Sequence, residues 1–248
     1  MLRLRNNLFE LIAVLVAGLC LYCVNIYVVS SNTTYKYAIE LWNYGREFFH
    51  ILYPFVFSVP FCWVLFQEKN GAYWKNVFNR VSLNKYIQKR ILLAIVMSAI
   101  TMLIVSFGSL LFAYLIGQGT VSDYEPIMSA KFYGLYQINH PVSYAFVLSC
   151  WRSFLAVLYT VLGIGITMLS KNVFIAMTGA FVYSIVENFI TAILQVPELS
   201  ITTSFYPNRL SGTNITFPKL MVGPTVILVV IVAIYLYYCK NIKHTLMD

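Results

Sequence analysis

Long apolar runs that alternate with short polar segments dominate this chain of 248 residues. A helix needs about 20 mainly apolar residues to cross the hydrocarbon core of a bilayer. Six runs reach that length: Leu8–Ser30, Phe48–Phe66, Ile91–Gly117, Tyr144–Leu169, Val173–Leu194 and Met221–Tyr238. No internal repeat and no linker between soluble domains interrupts the pattern. It predicts an all-α integral membrane protein in which residues 1–248 form a single domain with six transmembrane helices.

The connections between the predicted spans differ in length and character. Only Ser170–Asn172 joins spans four and five, which predicts a tight antiparallel hairpin. The segment from Gln195 to Lys219 is longer and carries several prolines among alternating apolar and polar residues. We expect this segment to re-enter the edge of the membrane as short helices.

The composition agrees with a lipid-facing surface. The chain is 60% apolar and 10% charged, whereas about 25% of the residues of ordinary soluble domains are charged. The net charge of +8 does not indicate nucleic-acid binding, because no basic face with interleaved aromatic residues lies outside the apolar runs. The five cysteines lie in or beside apolar runs and the three histidines are scattered. We therefore expect neither a metal site nor a disulfide framework.

The distribution of basic residues predicts the orientation. If both termini face the cytoplasm, most of the 17 Lys and Arg residues lie in inner segments, as the positive-inside rule requires. The outer connections then hold Lys36, Arg46, Lys131, Arg209 and Lys219. The sequence thus predicts a multi-pass protein of the plasma membrane, most simply a bacterial one, with an N-in/C-in topology.

The inner connection between spans two and three is basic and amphipathic. Its apolar residues follow the i, i+3, i+4, i+7 spacing of a short helix with one apolar stripe; they are Trp74, Val77, Phe78 and Val81. Such a helix can lie on anionic lipid. It can also dock its apolar ridge into a groove of a soluble partner. Both interpretations fit the pattern.

Two charges fall inside predicted spans: Arg152 in span four and Glu187 in span five. At 1.5 Å of rise per residue, the antiparallel hairpin brings them to similar depth. A charge in hydrocarbon costs several kcal/mol unless it is paired or hydrated, so we expect the two to pair. Asn188 adds polarity beside Glu187. The pair would serve as a clamp between helices or as a polar point on a substrate path.

The chain lacks the common catalytic and nucleotide-binding motifs. It contains no GxxxxGK[ST] loop, no HExxH, no GxSxG and no paired intramembrane acids. The sequence therefore predicts no catalytic residue and no nucleotide held by a P-loop of this chain. If the chain moves a substrate against a gradient, the energy comes from an ion gradient or from another subunit.

The six-span layout and the loop between spans two and three resemble the permease subunits of ABC-2 type ABC transporters. In that family this loop carries an acidic residue, a glycine and a short coupling helix, and it closes with a basic pattern before span three. The matching residues here are Glu68-Lys69, Gly71, Trp74–Arg80, Ser82, Tyr86 and Lys89. The resemblance covers the whole chain in layout and about 25 residues in motif.

The resemblance implies an ATP-driven exporter. Two permease subunits, identical or related, would assemble with two copies of a cytoplasmic ATPase subunit that binds ATP and Mg. This chain itself would bind no cofactor and would not be an enzyme. Closure of the ATPase dimer would push the coupling helix and open a path outward. The ATPase-docking residues implied by the resemblance are Glu68, Gly71, Trp74, Val77, Phe78, Arg80 and Val81.

The cargo and the rival functions stay open at this point. The 18 Phe and 19 Tyr residues favour an amphipathic or lipophilic substrate such as a peptide, an antibiotic or a lipid-linked molecule. One alternative is a secondary transporter or a ligand-binding membrane subunit that uses Arg152 or Glu187. Another is an immunity-type membrane protein without transport. A membrane enzyme is disfavoured, because the sequence brings together no set of acid/base or metal-binding residues.

Overall fold

The computed structural model describes residues 2–32, 37–71, 83–117, 131–210 and 215–242. Every regular element in these ranges is helical. The α-helices are α1 (Leu2–Asn32), α2 (Ala38–Tyr44), α3 (Phe49–Asn70), α4 (Leu83–Ile116), α5 (Gly134–Asn139), α6 (Pro141–Leu169), α7 (Val173–Ile193), α8 (Ile201–Phe205) and α9 (Phe217–Tyr237). A π-helical turn, Tyr238–Ile242, extends α9.

Six of these helices are long and apolar enough to cross a membrane, namely α1, α3, α4, α6, α7 and α9. They coincide with the six apolar runs of the sequence, so the predicted all-α fold with six membrane-spanning helices is confirmed. The helix ends extend a few residues beyond several predicted limits. The N-in/C-in orientation remains a prediction.

Helix α6 lies at the centre of the bundle. In an apolar stretch of 18 residues within this span, 61% of the residues are buried inside the protein, a larger share than in the other five spans. It packs against α3, α4, α7 and α9. Gly163 permits the approach of α3, because a Cβ atom at this position would lie 2.8 Å from the Cys62 sulfur. Small residues serve this purpose widely in membrane helices, where close backbone packing replaces a hydrophobic driving force.

The predicted hairpin between spans four and five is present as α6 and α7, which pack against each other. Asn172 caps the start of α7, because its Oδ1 accepts a hydrogen bond from the Phe174 backbone N–H at 2.8 Å. This bond satisfies one of the N–H groups that a helix start leaves without an intrahelical partner. The three-residue connection Ser170–Asn172 therefore also supplies the N-terminal cap of α7.

After α7 the chain folds back into the bundle as three short helical pieces. They are the 3-10 turn Pro197–Leu199, helix α8, and the 3-10 turn Pro207–Arg209. All residues from 200 to 208 are buried, and α8 packs against α3, α6, α7 and α9. The short helices expected in this segment are thus present up to residue 210. We call residues 197–209 the inserted segment.

Candidate functional site

Two polar clusters lie at opposite ends of α6. The first surrounds the base of the loop between α3 and α4, and we call it the loop-base cluster. The second lies among α2, α4, α6 and the inserted segment, and we call it the buried charge cluster. The sequence singled out residues of both.

The loop-base cluster joins the end of α3 to the start of α4. Glu68 accepts a hydrogen bond from the Tyr86 hydroxyl at 2.7 Å through Oε2. Its Oε1 forms an ion pair with Nη2 of Arg90 at 3.0 Å. Tyr86 and Arg90 are four residues apart on α4 and therefore lie on one helix face. One carboxylate thus ties together the two helices that border the loop.

Lys69 extends the loop-base cluster to α6. Its Nζ donates to the carbonyl oxygens of Thr167, Met168 and Ser170 at 3.3, 2.7 and 2.8 Å. The last carbonyls of a helix lack intrahelical donors and carry partial negative charge, so a lysine there is stabilising. The start of the loop is consequently held to α4 by Glu68 and to α6 by Lys69.

The structure describes only part of the predicted docking motif. Gly71 ends α3, is exposed, and donates its N–H to the Gln67 carbonyl at 3.0 Å. Glu68 binds within the chain. The other predicted docking residues lie outside the described residues; they are Trp74, Val77, Phe78, Arg80 and Val81.

The sequence did not assign partners to Glu68 and Lys69. It contained one usable signal, since Glu68 is the single acid between residues 67 and 90 and Tyr86 and Arg90 share the i, i+4 spacing. No comparable sequence pattern indicated the contact of Lys69 with the end of α6. This contact depends on the bundle placing the end of α6 beside the end of α3, which no local pattern specifies.

In the buried charge cluster, Arg152 is fully buried. Its Nε donates to the Phe205 carbonyl at 3.3 Å and its Nη1 to the Ser106 hydroxyl at 2.9 Å. The guanidinium carbon lies 4.6 Å from the centroid of the Trp42 ring, within the range of a cation–π contact. The side chain therefore links α6 to α2, α4 and the end of α8.

Glu187 binds the opposite end of α8. Its Oε2 accepts from the Ser200 hydroxyl at 2.9 Å, and its Oε1 accepts from the Ile201 N–H at 3.1 Å. A carboxylate at a helix start and a cation at a helix end both match the charge distribution of the helix. The two charged side chains thus satisfy one N–H group at the start of this five-residue helix and one C=O group at its end.

The expected direct pairing of Arg152 with Glu187 is wrong for this structure, because the ion pairs among the described residues do not include it. The inserted segment supplies backbone groups that compete for both charges. Asn188, the third predicted pathway residue, lies outside the buried cluster. Its Oδ1 accepts from Nη1 of the exposed Arg209 at 3.1 Å, which ties the far end of the inserted segment to α7.

Arg46 is a second fully buried arginine that the sequence placed in an outer loop. Its Nε donates to the Trp42 carbonyl at 3.1 Å. Its guanidinium carbon lies 4.4 Å from the Trp42 ring centroid and 5.2 Å from that of Tyr206. Both of its terminal nitrogens, and Nη2 of Arg152, have no hydrogen-bond partner in the described part of the chain.

Trp42 is the common neighbour of the two arginines. Its ring faces both guanidinium groups, and its Nε1 donates to the Ser106 carbonyl at 2.8 Å. The sequence missed this residue because α2 lies between two apolar runs and looks like an exposed connection. The i, i+4 spacing of Trp42 and Arg46 was the one available signal.

The chemistry of these clusters is that of binding and positioning. Among the described residues no group of three or more His, Cys, Asp or Glu side chains could hold a metal ion.

Comparison of the chain with protein-family models, with curated proteins and with solved structures finds no match. The family resemblance therefore depends on the sequence motif and the span layout.

Proposed function

We propose that this chain is the transmembrane subunit of an ATP-driven exporter of the ABC-2 type. A separate cytoplasmic ATPase subunit, present in two copies, binds ATP and Mg and hydrolyses the nucleotide. The chain pairs with a second permease subunit, identical or related, in the plasma membrane of a bacterium. The cargo is a peptide, an antibiotic or another amphipathic molecule that leaves the cell.

The loop-base cluster is the observation that carries this proposal. A loop that only rested on lipid would need no specific attachment to the bundle. Here the residue pair that opens the loop contacts α4 through Glu68 and the end of α6 through Lys69. A push transmitted to Glu68 and Lys69 would reach α3, α4 and the central helix. That is the mechanical requirement of a coupling element.

The buried charge cluster gives less support to an ion-coupled carrier. In such a carrier Arg152 or Glu187 would bind the ion or the ligand. Both side chains instead bind backbone groups of the inserted segment. An export path that used them would first have to release α8.

The test is co-purification of the chain with the proposed ATPase subunit. Trp74→Asp plus Val77→Asp breaks the apolar stripe of the helix that the sequence predicts in the loop and should abolish co-purification and the coupled ATP hydrolysis. Asn76→Asp plus Asn79→Asp adds the same two charges to the polar side of that helix and should leave both intact. Normal co-purification and ATP hydrolysis in the first variant would refute the docking role.

A further inference from the structure

An aromatic cavity of about 460 Å³ lies beside the inserted segment. It is formed by α5, the first turns of α6 and α9, and the turn at Pro207. The lining is almost entirely apolar and includes Tyr133, Tyr136, Tyr144, Leu148, Trp151 and Phe217. Its volume falls within the range of sites that hold small organic ligands.

The cavity opens on the outer surface of the helix bundle. Tyr133, Val147 and Phe217 on its outer wall are each more than half exposed, whereas Tyr144 and Leu148 on its floor are buried. Val147 lies six residues after the start of α6, about 9 Å along the helix. The opening is therefore close to one end of a membrane-spanning helix.

One edge of the cavity is polar and positively charged. Lys131 directly precedes the lining residue Phe132, and its Nζ lies 3.4 Å from the Asn208 carbonyl oxygen, to which it donates. Nδ2 of Asn208 donates to the hydroxyl of Tyr144 at 3.3 Å. The edge thus offers a cation.

Lys131 forms no ion pair in the part of the chain that the structure describes. An apolar chamber bordered by such a cation matches a molecule with an apolar chain and an anionic headgroup. We infer that the cavity binds one acyl chain of an anionic membrane phospholipid whose headgroup lies at Lys131. This inference does not depend on ATP-driven export.

The test uses Trp151, which lines the cavity, as the reporter. The full chain is placed in phosphatidylcholine nanodiscs that contain increasing fractions of phosphatidylglycerol with brominated acyl chains, because bromine quenches tryptophan fluorescence at contact. The difference between the protein and Trp151→Phe isolates the signal of Trp151. A single lysine contact near the surface is worth about 1 kcal/mol, so half-maximal quenching should need about fivefold less brominated phosphatidylglycerol than brominated phosphatidylcholine.

Lys131→Gln should remove this preference, and Lys171→Gln at the exposed α6–α7 turn should preserve it. Trp63 is 41% exposed on α3 and serves as an internal control, since both lipids should quench it equally. Equal quenching of Trp151 by the two lipids would overturn the inference, because the cavity would then hold lipid without selection. Absence of quenching at Trp151 by either lipid would also overturn it and would indicate that protein, such as a second copy of this chain, covers the cavity.

Discussion

The loop-base cluster and the buried charge cluster stabilise their charged side chains in different ways. In the first, opposite charges meet near the surface, and the side chains of Glu68 and Arg90 are about 15% exposed. In the second, two arginines are fully buried and contact carbonyl oxygens, a hydroxyl group and aromatic rings. An ion pair near water contributes about 0–1 kcal/mol, whereas breaking the contacts of a buried charge costs several kcal/mol. The first cluster can therefore rearrange during a functional cycle, and the second mainly holds the fold.

The comparison also separates two uses of charge at helix ends. Lys69 binds the last turn of α6, a long membrane-spanning helix that would form without it. Arg152 and Glu187 bind the two ends of α8, which has only five residues. Isolated helices of that length are unstable. The inserted segment consequently depends on its two charged contacts far more than α6 depends on Lys69.

Arg152→Leu should give the largest loss of stability. The substitution leaves the Phe205 carbonyl without its charged donor and removes the link to Ser106. Hydrogen bonds to a charged group are worth about 1.5–3 kcal/mol each, so we expect a loss of about 3 kcal/mol, measured by thermal unfolding in detergent. Arg209→Leu, which changes an exposed arginine of the same segment, should cost less than about 1 kcal/mol.

A charge swap distinguishes helix-end contacts from a direct pair. Because Arg152 and Glu187 bind opposite ends of α8, Arg152→Glu combined with Glu187→Arg places each charge at the wrong helix end. The double variant should be no more stable than either single variant. Recovery of wild-type stability in the double variant would show that the two side chains interact directly.

Gly223→Ala tests how closely α8 is seated against α9. A Cβ atom at residue 223 would lie 2.6 Å from the backbone nitrogen of Ile201, so a backbone has to move. Overpacking of this kind costs about 1–3 kcal/mol, and we expect a corresponding fall in the unfolding temperature. Gly108→Ala is the matched control, because its Cβ would meet only a Leu19 methyl at 3.8 Å. If both variants unfold alike, the close seating of the inserted segment is not a determinant of stability.

Glu68→Gln should affect stability less and coupling more. The amide keeps an acceptor for the Tyr86 hydroxyl but loses the ion pair with Arg90, which is worth at most about 1 kcal/mol at this exposure. We expect an almost unchanged unfolding temperature together with a clear fall in the ATPase activity of the proposed complex with an ATPase subunit. Lys85→Gln changes a nearby exposed lysine outside the loop motif and should alter neither property. A parallel loss of stability and coupling in Glu68→Gln would mean that the loop-base cluster is structural, like the buried one.

The two clusters also differ in how far the sequence predicted them. The six spans, the short hairpin and the short helices after α7 follow from hydrophobic periodicity and proline placement, which are local properties. The importance of Arg152 and Glu187 followed from the cost of charge in the membrane, and that of Glu68 from the family resemblance. Their partners did not follow, since Lys69 with Met168 and Arg152 with Phe205 are far apart in sequence. Arg46 was missed because burial of the short helix α2 is decided by tertiary packing.

A third buried ionisable group, Glu40, extends the comparison to pH. It lies on α2, two residues before Trp42, is 2% exposed, and burial raises the pKa of its carboxyl group to about 7. An unfolded glutamate has a pKa of about 4.3, so the folded state holds this proton more tightly. The protonated Glu40 carboxyl group therefore contributes to the stability of the folded state below about pH 4.3, and this contribution declines as the pH rises toward 7. Between pH 5 and pH 8 the unfolding temperature of the wild type should therefore fall relative to that of Glu40→Gln, and Glu47→Gln, a change at an exposed position, serves as the matched control. An unchanged slope in Glu40→Gln would mean that this carboxyl group does not titrate between those limits, and that the buried cluster near Trp42 keeps a fixed charge across them.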